Sequence, residues 1–410
     1  MPAGHQPGPE YSEESPDFVP YDRAGSGCCP ADCTPGRCGP GCCGPGWCGP
    51  CDPCYSPLHG CLWVRGEYLL WWTRGSALPP LVTTSPAGTT PDVAGVLGQP
   101  GTRVLFGDQT VNTDVHSGER ITLGYWFEPC HCIGIEASYL GMGREATSFF
   151  AASPETPIVA RPYFDTQTDT QSAMLIAHPD FLRGSVNVDA ATELQAVEVL
   201  LRPNLFWRPC DRMDFLVGWR NARLDESLRI SQFSEWTASQ GQIVAGTTKS
   251  LFDLFDTENQ FQGAELGVVY QQHIGRWSLE TLMKLGLGNT HSRVLIDGMT
   301  TTTVPNGGTT TFTGGLLAQQ TNIGQHDKNQ FSMIPELGVT AGCDLTCRLR
   351  ATFGYTFLYW SRVARSADQL DPNVSQLPPE APTGAHRPAF AFVTNDFWGQ
   401  GVNFGLEYRF

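Results

Sequence analysis

The sequence has no uninterrupted apolar run of the roughly 18 residues that a membrane helix needs, which excludes a helical membrane protein. Charge is scarce as well. Asp, Glu, Lys and Arg make up 16% of the chain, where a soluble protein has about 25%. The charge present leans negative, with 26 Lys and Arg against 41 Asp and Glu for a net of −15; a nucleic acid is therefore not an expected partner. Enzyme signatures are missing: there is no Gly-x-Ser-x-Gly, no His-Glu-x-x-His and no phosphate-cradling loop. Gly141-x-Gly143 and Gly286-x-Gly288 lack a third glycine. His116, His178, His291, His326 and His386 fall in predicted loops near Asp114 and Asp180 and read as solvated side chains. The expectation is a protein that is not an enzyme and takes no cofactor.

Glycine and aromatic residues are abundant, with Gly 45, Phe 22, Trp 11 and Tyr 11, and point to a β-rich chain. Residues 1–60 stand apart from residues 61–410. The first part is polar and rich in Gly and Pro, and residues 28–61 carry Cys28, Cys29, Cys33, Cys38, Cys42, Cys43, Cys48, Cys51, Cys54 and Cys61. Such a segment has little to bury, so it is expected to be disordered or held by cross-links. Cys48-x-x-Cys51-x-x-Cys54 has a zinc-like spacing, but Gly and Pro fill the gaps, and disulfides are the preferred reading. Met1–Glu10 shows neither a basic stretch nor an apolar core, so no signal peptide is visible in this sequence.

The C-terminus alternates with period two. Val402, Phe404, Leu406, Tyr408 and Phe410 share one face, and Asn403, Gly405, Glu407 and Arg409 the other. A strand that closes the chain on Phe with apolar residues at every second position resembles the insertion signal of bacterial outer-membrane barrels. Nine earlier segments show the same alternation. The strands are expected near 62–72, 118–127, 132–141, 194–207, 213–224, 261–271, 276–287, 332–342, 347–359 and 400–410, lengths that suit a tilted membrane strand.

The opposite parity carries charge: Arg65, Glu67, Arg120, Glu136, Glu198, Arg202, Arg220, Glu265, Glu280, Lys284, Glu336, Arg348, Arg350, Glu407 and Arg409. A soluble sandwich would turn these to water and bury the apolar faces between two sheets. A barrel in lipid does the reverse, so the charges line the lumen. Three features favour the barrel. Tight connections (Glu128–His131, Pro209–Arg212, Gln271–Gly275, Gly342–Thr346) alternate with long ones near 73–116, 144–190, 227–257, 300–330 and 361–395, expected to be irregular. Aromatics gather at strand ends, as in Trp71-Trp72, Tyr125-Trp126-Phe127, Phe206-Trp207 and Tyr359-Trp360. The chain also stops on the Phe410 strand.

The fold expected is therefore all-β, a transmembrane antiparallel up-and-down barrel of about ten strands, with 8–14 allowed, long extracellular loops, and both termini in the periplasm. Ten strands leave a lumen that side chains nearly fill. The functional expectation is an outer-membrane barrel with a narrow or plugged lumen and a structural role in the envelope. A general diffusion porin is the alternative if hidden strands widen the barrel, and a loop-based surface enzyme is a third reading. Cys130, Cys132, Cys210, Cys343 and Cys347 lie in or beside the short turns, where the periplasm would oxidise them; Cys343 with Cys347, and Cys130 or Cys132 with Cys210, are the expected staples. No metal site is expected. Partners are membrane lipid, the barrel-assembly machinery, and neighbours cross-linked through residues 1–60.

Several stretches together carry a further likeness. They are Arg65-Gly-Glu-Tyr-Leu-Leu-Trp-Trp72, Pro79-Pro-Leu-Val-Thr-Thr-Ser-Pro86, Gly95-Val-Leu-Gly98 with Leu105-Phe-Gly107, and Leu285-Gly-Leu-Gly-Asn289. Gly314-Gly-Leu-Leu-Ala-Gln319 with Asn322-Ile-Gly324, Phe331-Ser-Met-Ile-Pro-Glu-Leu-Gly338, Asp368-Gln-Leu-Asp371, Phe397-Trp-Gly-Gln-Gly401 and Glu407-Tyr-Arg-Phe410 follow in order. Together they resemble the type-seven beta-barrel porin family of planctomycete bacteria; the resemblance runs from about Leu62 to Phe410 and implies an outer-membrane barrel, without bringing a substrate or a binding residue. The stretches that fall in predicted loops are expected to fold inward or to pack on each other.

Overall fold

The computed structural model describes residues 62–128, 131–208, 211–346, 348–380, 384 and 386–410. The Cys-rich segment and Cys130, Cys210 and Cys347 lie outside the described residues, and with them every expected disulfide partnership. Among the described residues, ten strands form a ring. They are β1 (Leu62–Thr73), β2 (His116–Trp126), β3 (Ile133–Ala152), β4 (Leu182–Trp207), β5 (Asp211–Trp236), β6 (Thr248–Ile274), β7 (Trp277–Val304), β8 (Gly324–Asp344), β9 (Leu349–Val363) and β10 (Asn395–Arg409). Each pairs antiparallel with its neighbours in sequence, and β10 returns to β1 with Tyr68 opposite Phe404 and Val64 opposite Tyr408. Closure leaves the ring without a free edge, so the strands satisfy one another's backbone groups inside lipid.

Period-two alternation sets the two faces. Ile121, Leu123, Tyr139, Val199, Leu266, Met283, Leu337, Phe353 and Phe404 project outward and are exposed, making an apolar belt. Val402, Leu406 and Tyr408 share the outward face of β10, and Phe410, just past its end, donates its backbone N–H to Leu62 O at 3.0 Å. The aromatic pairs divide. Trp71, Trp126 and Trp360 are buried inside the ring, while Tyr125, Phe127, Phe206 and Trp207 stay exposed. Adjacent residues on a regular strand face opposite ways, so Trp71, Trp126 and Trp360 cannot join an interfacial girdle, whereas Phe206 and Trp207, past the register shift between Asn204 and Phe206, are both exposed.

The strands are longer than expected. β4 to β7 run 26, 26, 27 and 28 residues, against the roughly 9–11 that cross a bilayer. Much of the sequence at 144–190, 227–257 and 300–330, expected as irregular loops, continues the same strands. Beyond the belt the two faces exchange chemistry. On β5 the outward series passes from Val217 and Trp219 to Arg223, Asp225, Ser227 and Arg229, while the inward series becomes Leu224, Leu228 and Ile230. Once the outside is water, burial favours an apolar interior. At a rise near 3.3 Å per residue and a tilt near 40°, this extension lifts the β5 rim roughly 40 Å above the belt. We call this the tall end, and the opposite end the turn end.

The tall end has its own core. Connections between strands fold inward as an inner sheet, in which Val82–Thr84 pairs with Arg103–Phe106 and touches Val159–Asp165, which in turn pairs with Thr170–Ala177 and with Asn373–Val374. Val82, Phe106, Val159, Ile176, Leu316, Leu317 and Val374 pack against Val186, Val188, Leu228, Ile230, Phe255, Val294 and Ile296 of the wall.

Candidate functional site

The barrel interior gathers the charged residues that share the inward parity. Midway up the belt, Arg220 on β5 reaches Glu198 on β4 and Glu336 on β8, and lies 3.1 Å from Glu265 on β6. Lys284 on β7 sits 2.6 Å from Glu198 and 3.2 Å from Glu336. Arg120 on β2 donates to Glu336 Oε1 at 3.0 Å. Three cations thus meet three carboxylates, a neutral set held in low dielectric, where an unpaired member would be costly.

A second group lies nearer the turn end. Arg65 on β1 donates to Glu280 on β7 at 2.9 Å and to Glu407 on β10 at 2.6 Å. Glu407 also accepts from Arg409 at 2.8 Å and stands 3.9 Å from Arg350, whose Nε donates to Asp344 at 2.7 Å. On the other side, Arg202 bridges Glu136 at 3.1 Å and Asp214 at 2.8 Å. Glu67 is buried on β1. The space left among these groups is a cavity of about 60 Å³, lined by Arg65, Glu67, Arg120, Glu198, Glu280 and Lys284 among others.

Above the ions lies an apolar layer of Leu69, Trp71, Leu140, Leu194, Leu224, Phe261, Ile334, Trp360 and Phe397. The tryptophans keep their indole N–H groups satisfied, Trp71 on Asn403 Oδ1 at 2.8 Å and Trp360 on Thr290 Oγ1 at 3.0 Å. A polar layer follows. Arg365 donates to Glu226 at 2.7 Å, and Asn259 takes the Ala364 N–H at 2.7 Å and the Ser292 hydroxyl at 2.7 Å. Asp253 accepts the N–H groups of Leu317 and Ala318 at 3.0 and 2.8 Å and pairs with Arg161 at 2.6 Å. The stretch Gly314–Gln319 is thereby held against the inner face of β6 and β7.

One residue departs from the expected lining. Arg348 is exposed in the turn that precedes β9, because β9 begins only at Leu349 and the side chain at the rim meets solvent. Sequence reasoning missed Asp214, fully buried between Arg202 and Arg212, although it shares the parity of Arg220. It also missed the Arg161–Asp253 and Arg365–Glu226 pairs; Arg161, Asp253 and Arg365 lie in segments read as loops, and Glu226 lies just past the expected strand 213–224.

The carboxylates of Glu198, Glu265 and Glu336 lie within 4.8 Å of one another, but Arg220 and Lys284 each already ion-pair with all three. The histidines are engaged. His116 Nδ1 lies 3.0 Å from Glu145 and from the Asp114 carbonyl; His178 stacks on Phe181, His291 approaches Asp327 at 3.6 Å, and His326 stacks on Phe390. His386 adopts a positive φ of 42° in the β9–β10 connection.

No curated protein matches the chain. Among solved structures it is similar to the outer-membrane protease OmpT of Escherichia coli, at 8% identity and a TM-score of 0.43 over 87% of this chain and 98% of that one. It is also similar to a FadL homologue of Pseudomonas aeruginosa, at 9% identity and a TM-score of 0.22 over 85% and 90%. For the toluene transporter TodX of P. putida the values are 7% and 0.21 over 88% and 92%. These likenesses concern the fold and bring no functional residue to this chain. They do correct one expectation. A protein similar to this one is a protease, so the lack of enzyme signatures does not establish that the chain is not an enzyme. The model of the family described as Putative beta barrel porin-7 matches residues 63–410, and the chain belongs to that family of outer-membrane β-barrels.

Proposed function

We propose that this barrel is an occluded member of its family, with a structural role in the outer membrane and passage for the smallest solutes at most. The observation that carries the reading is that charges pair across the axis. Arg120 on β2 meets Glu336 on β8, and Arg65 on β1 meets Glu280 on β7, strands on opposite sides of the ring. Ten strands enclose little more than the eight-stranded case, whose interior side chains fill. The apolar layer of Trp71, Phe261 and Trp360 and the inner sheet above it stand in series with the ions. In this reading the tall end faces the exterior, and the chain termini, the short turns and their cysteines face the periplasm.

Planar-bilayer recording of the refolded protein tests it. The expected record lacks stable conductance steps on the nanosiemens scale; their presence would show that the interior opens. Labelling in intact cells tests the orientation: a cysteine introduced at Thr309, at the rim of the tall end, should react with an impermeant maleimide added outside.

A further inference from the structure

The ring is low on one side. β1 ends at Thr73 and β10 begins at Asn395, while β4 to β7 continue far above them. At this low wall a cavity of about 490 Å³ is lined by Trp72, Thr73, Arg74, Asp368, Asn395 and Trp398 among others. Its level is fixed by its neighbours. Trp72 and Trp398 take the outward parity just above Leu70 and Val402, and Trp72 packs edge-on against Tyr355 with ring centroids 6.4 Å apart. Aromatics at the end of an apolar face mark the boundary between hydrocarbon and head groups, so the cavity opens at head-group depth.

The lining has a specific chemistry. Thr73 is 3% exposed, and its hydroxyl has no hydrogen-bond partner, a cost that a ligand oxygen would relieve. Arg74 is 35% exposed at its side chain; its Nη1 donates to the Asp396 carbonyl at 3.2 Å and lies 3.6 Å from the Asp396 carboxylate, which leaves Nε and Nη2 without a partner among the described residues. Arg365, the other cation here, is already engaged by Glu226, Ser76 Oγ and the Arg74 carbonyl. The cavity is also lined by Asp368, whose carboxylate accepts from Asn395 at 3.3 Å. One cation with donors to spare and two carboxylates, Asp368 and Asp396, set beside two indoles, match a zwitterion better than a simple anion.

We propose that this cavity binds the head group of a zwitterionic phospholipid of the phosphatidylethanolamine type. The phosphate meets Arg74 and the Thr73 hydroxyl, the ammonium meets Asp368 and an indole face, and the acyl chains follow Tyr68, Leu70 and Val402 down the wall. The cavity sits at the low rim above the ionic set, with Trp72 and Trp398 on the outward parity and Thr73 on the inward one, so its occupancy is read separately from conductance through the lumen.

Native mass spectrometry of the detergent-folded protein, titrated with dihexanoyl-phosphatidylethanolamine, tests this. The expected result is one saturable adduct, with dihexanoyl-phosphatidylglycerol and free O-phosphoethanolamine each binding more weakly. Arg74→Gln and Thr73→Val should weaken the adduct by about tenfold or more, while both variants keep a heat-modifiable band. Equal binding of the two lipids, or variants that bind like the parent, would overturn the site. Free O-phosphoethanolamine binding as tightly as the lipid would overturn the lipid as occupant. The comparison of ligands on the unaltered protein decides the matter even if a variant fails to fold.

Discussion

Trp71 on the first strand and Asn403 on the last meet inside the barrel, the indole Nε1 donating to Asn403 Oδ1 at 2.8 Å. Asn403 in turn donates to Thr356 Oγ1 on β9 at 2.7 Å, so one buried amide ties three strands at the seam where the ring closes. Asn403→Leu keeps the volume and leaves the indole and the Thr356 hydroxyl without this partner. The expected loss is about 1–3 kcal/mol, read as a lower temperature at which the folded gel band converts to the unfolded one. Trp71→Ala should lose more, about 3–5 kcal/mol, because it also opens a cavity in the apolar layer.

Room for Trp71 comes from the facing strand. A Cβ on Gly401 would lie 2.1 Å from Leu70 O and 2.7 Å from Trp71 Cδ1. Gly401→Val is therefore expected to displace β10 from β1 and to lower the yield of heat-modifiable protein on refolding, whereas Gly66→Ala, with nothing within 4 Å of the added carbon, should refold like the parent.

Arg220 is the hub of the ionic set, and removing it leaves Glu198, Glu265 and Glu336 facing one another with only Lys284 and Arg120 to answer them. Arg220→Leu should cost about 3–5 kcal/mol in denaturant unfolding. Adding Glu265→Gln restores neutrality and should recover part of that loss. If the double variant were as unstable as the single one, charge balance would not be what Arg220 supplies.

The belt was legible in the sequence because lipid on the outside makes the outward face apolar, and Ile121, Leu123, Tyr125 or Phe353, Tyr355, Phe357 announce it by parity. The tall end was hidden because the same parity carries the opposite chemistry there. Past Trp219 the outward residues are Arg223, Asp225 and Arg229, and the apolar set Leu224, Leu228, Ile230 belongs to the other face, so an alternation judged by its outward apolar face stops at the belt. Asp214 was within reach, lying on the same parity as Arg220. The Arg161–Asp253 pair was not, since it joins the inner sheet to the wall and no periodicity links the two positions. The family stretch Gly314–Gln319 pointed to an inward loop but not to Asp253 as its anchor.

That anchor gives a test of the inner packing. A Cβ on Gly315 would lie 2.1 Å from Asp253 Oδ1, the atom that accepts the Leu317 and Ala318 N–H groups. Gly315→Ala is expected to push this stretch off the wall while the belt remains folded. Limited proteolysis in detergent should then cut within 314–324 in the variant and spare the parent, with the heat-modifiable band retained in both.

Asp371 holds the far end of the β9–β10 connection and makes that hold sensitive to acid. Burial pushes its carboxyl up, but the Ala389 and Asn373 N–H groups and the Arg387 guanidinium outweigh burial and bring it below the ordinary carboxylate range. The contacts are Arg387 Nη1 at 2.7 Å, Ala389 N at 2.8 Å and Asn373 N at 3.1 Å. A carboxyl depressed in the folded state stabilises fully above its unfolded value, near 4 for Asp, and that contribution fades as pH falls through the depressed value. Hydrogen exchange of a peptide containing Ala389 should therefore be slow at neutral pH and speed up on acidification below about 4, after correction for intrinsic exchange. Asp371→Asn removes the charge at every pH, so its Ala389 peptide should exchange fast already at neutral pH and show no further acid step. Equal protection in parent and variant at neutral pH would place the restraint on this connection elsewhere, in the Ser375 hydroxyl that accepts the Arg387 N–H at 2.9 Å.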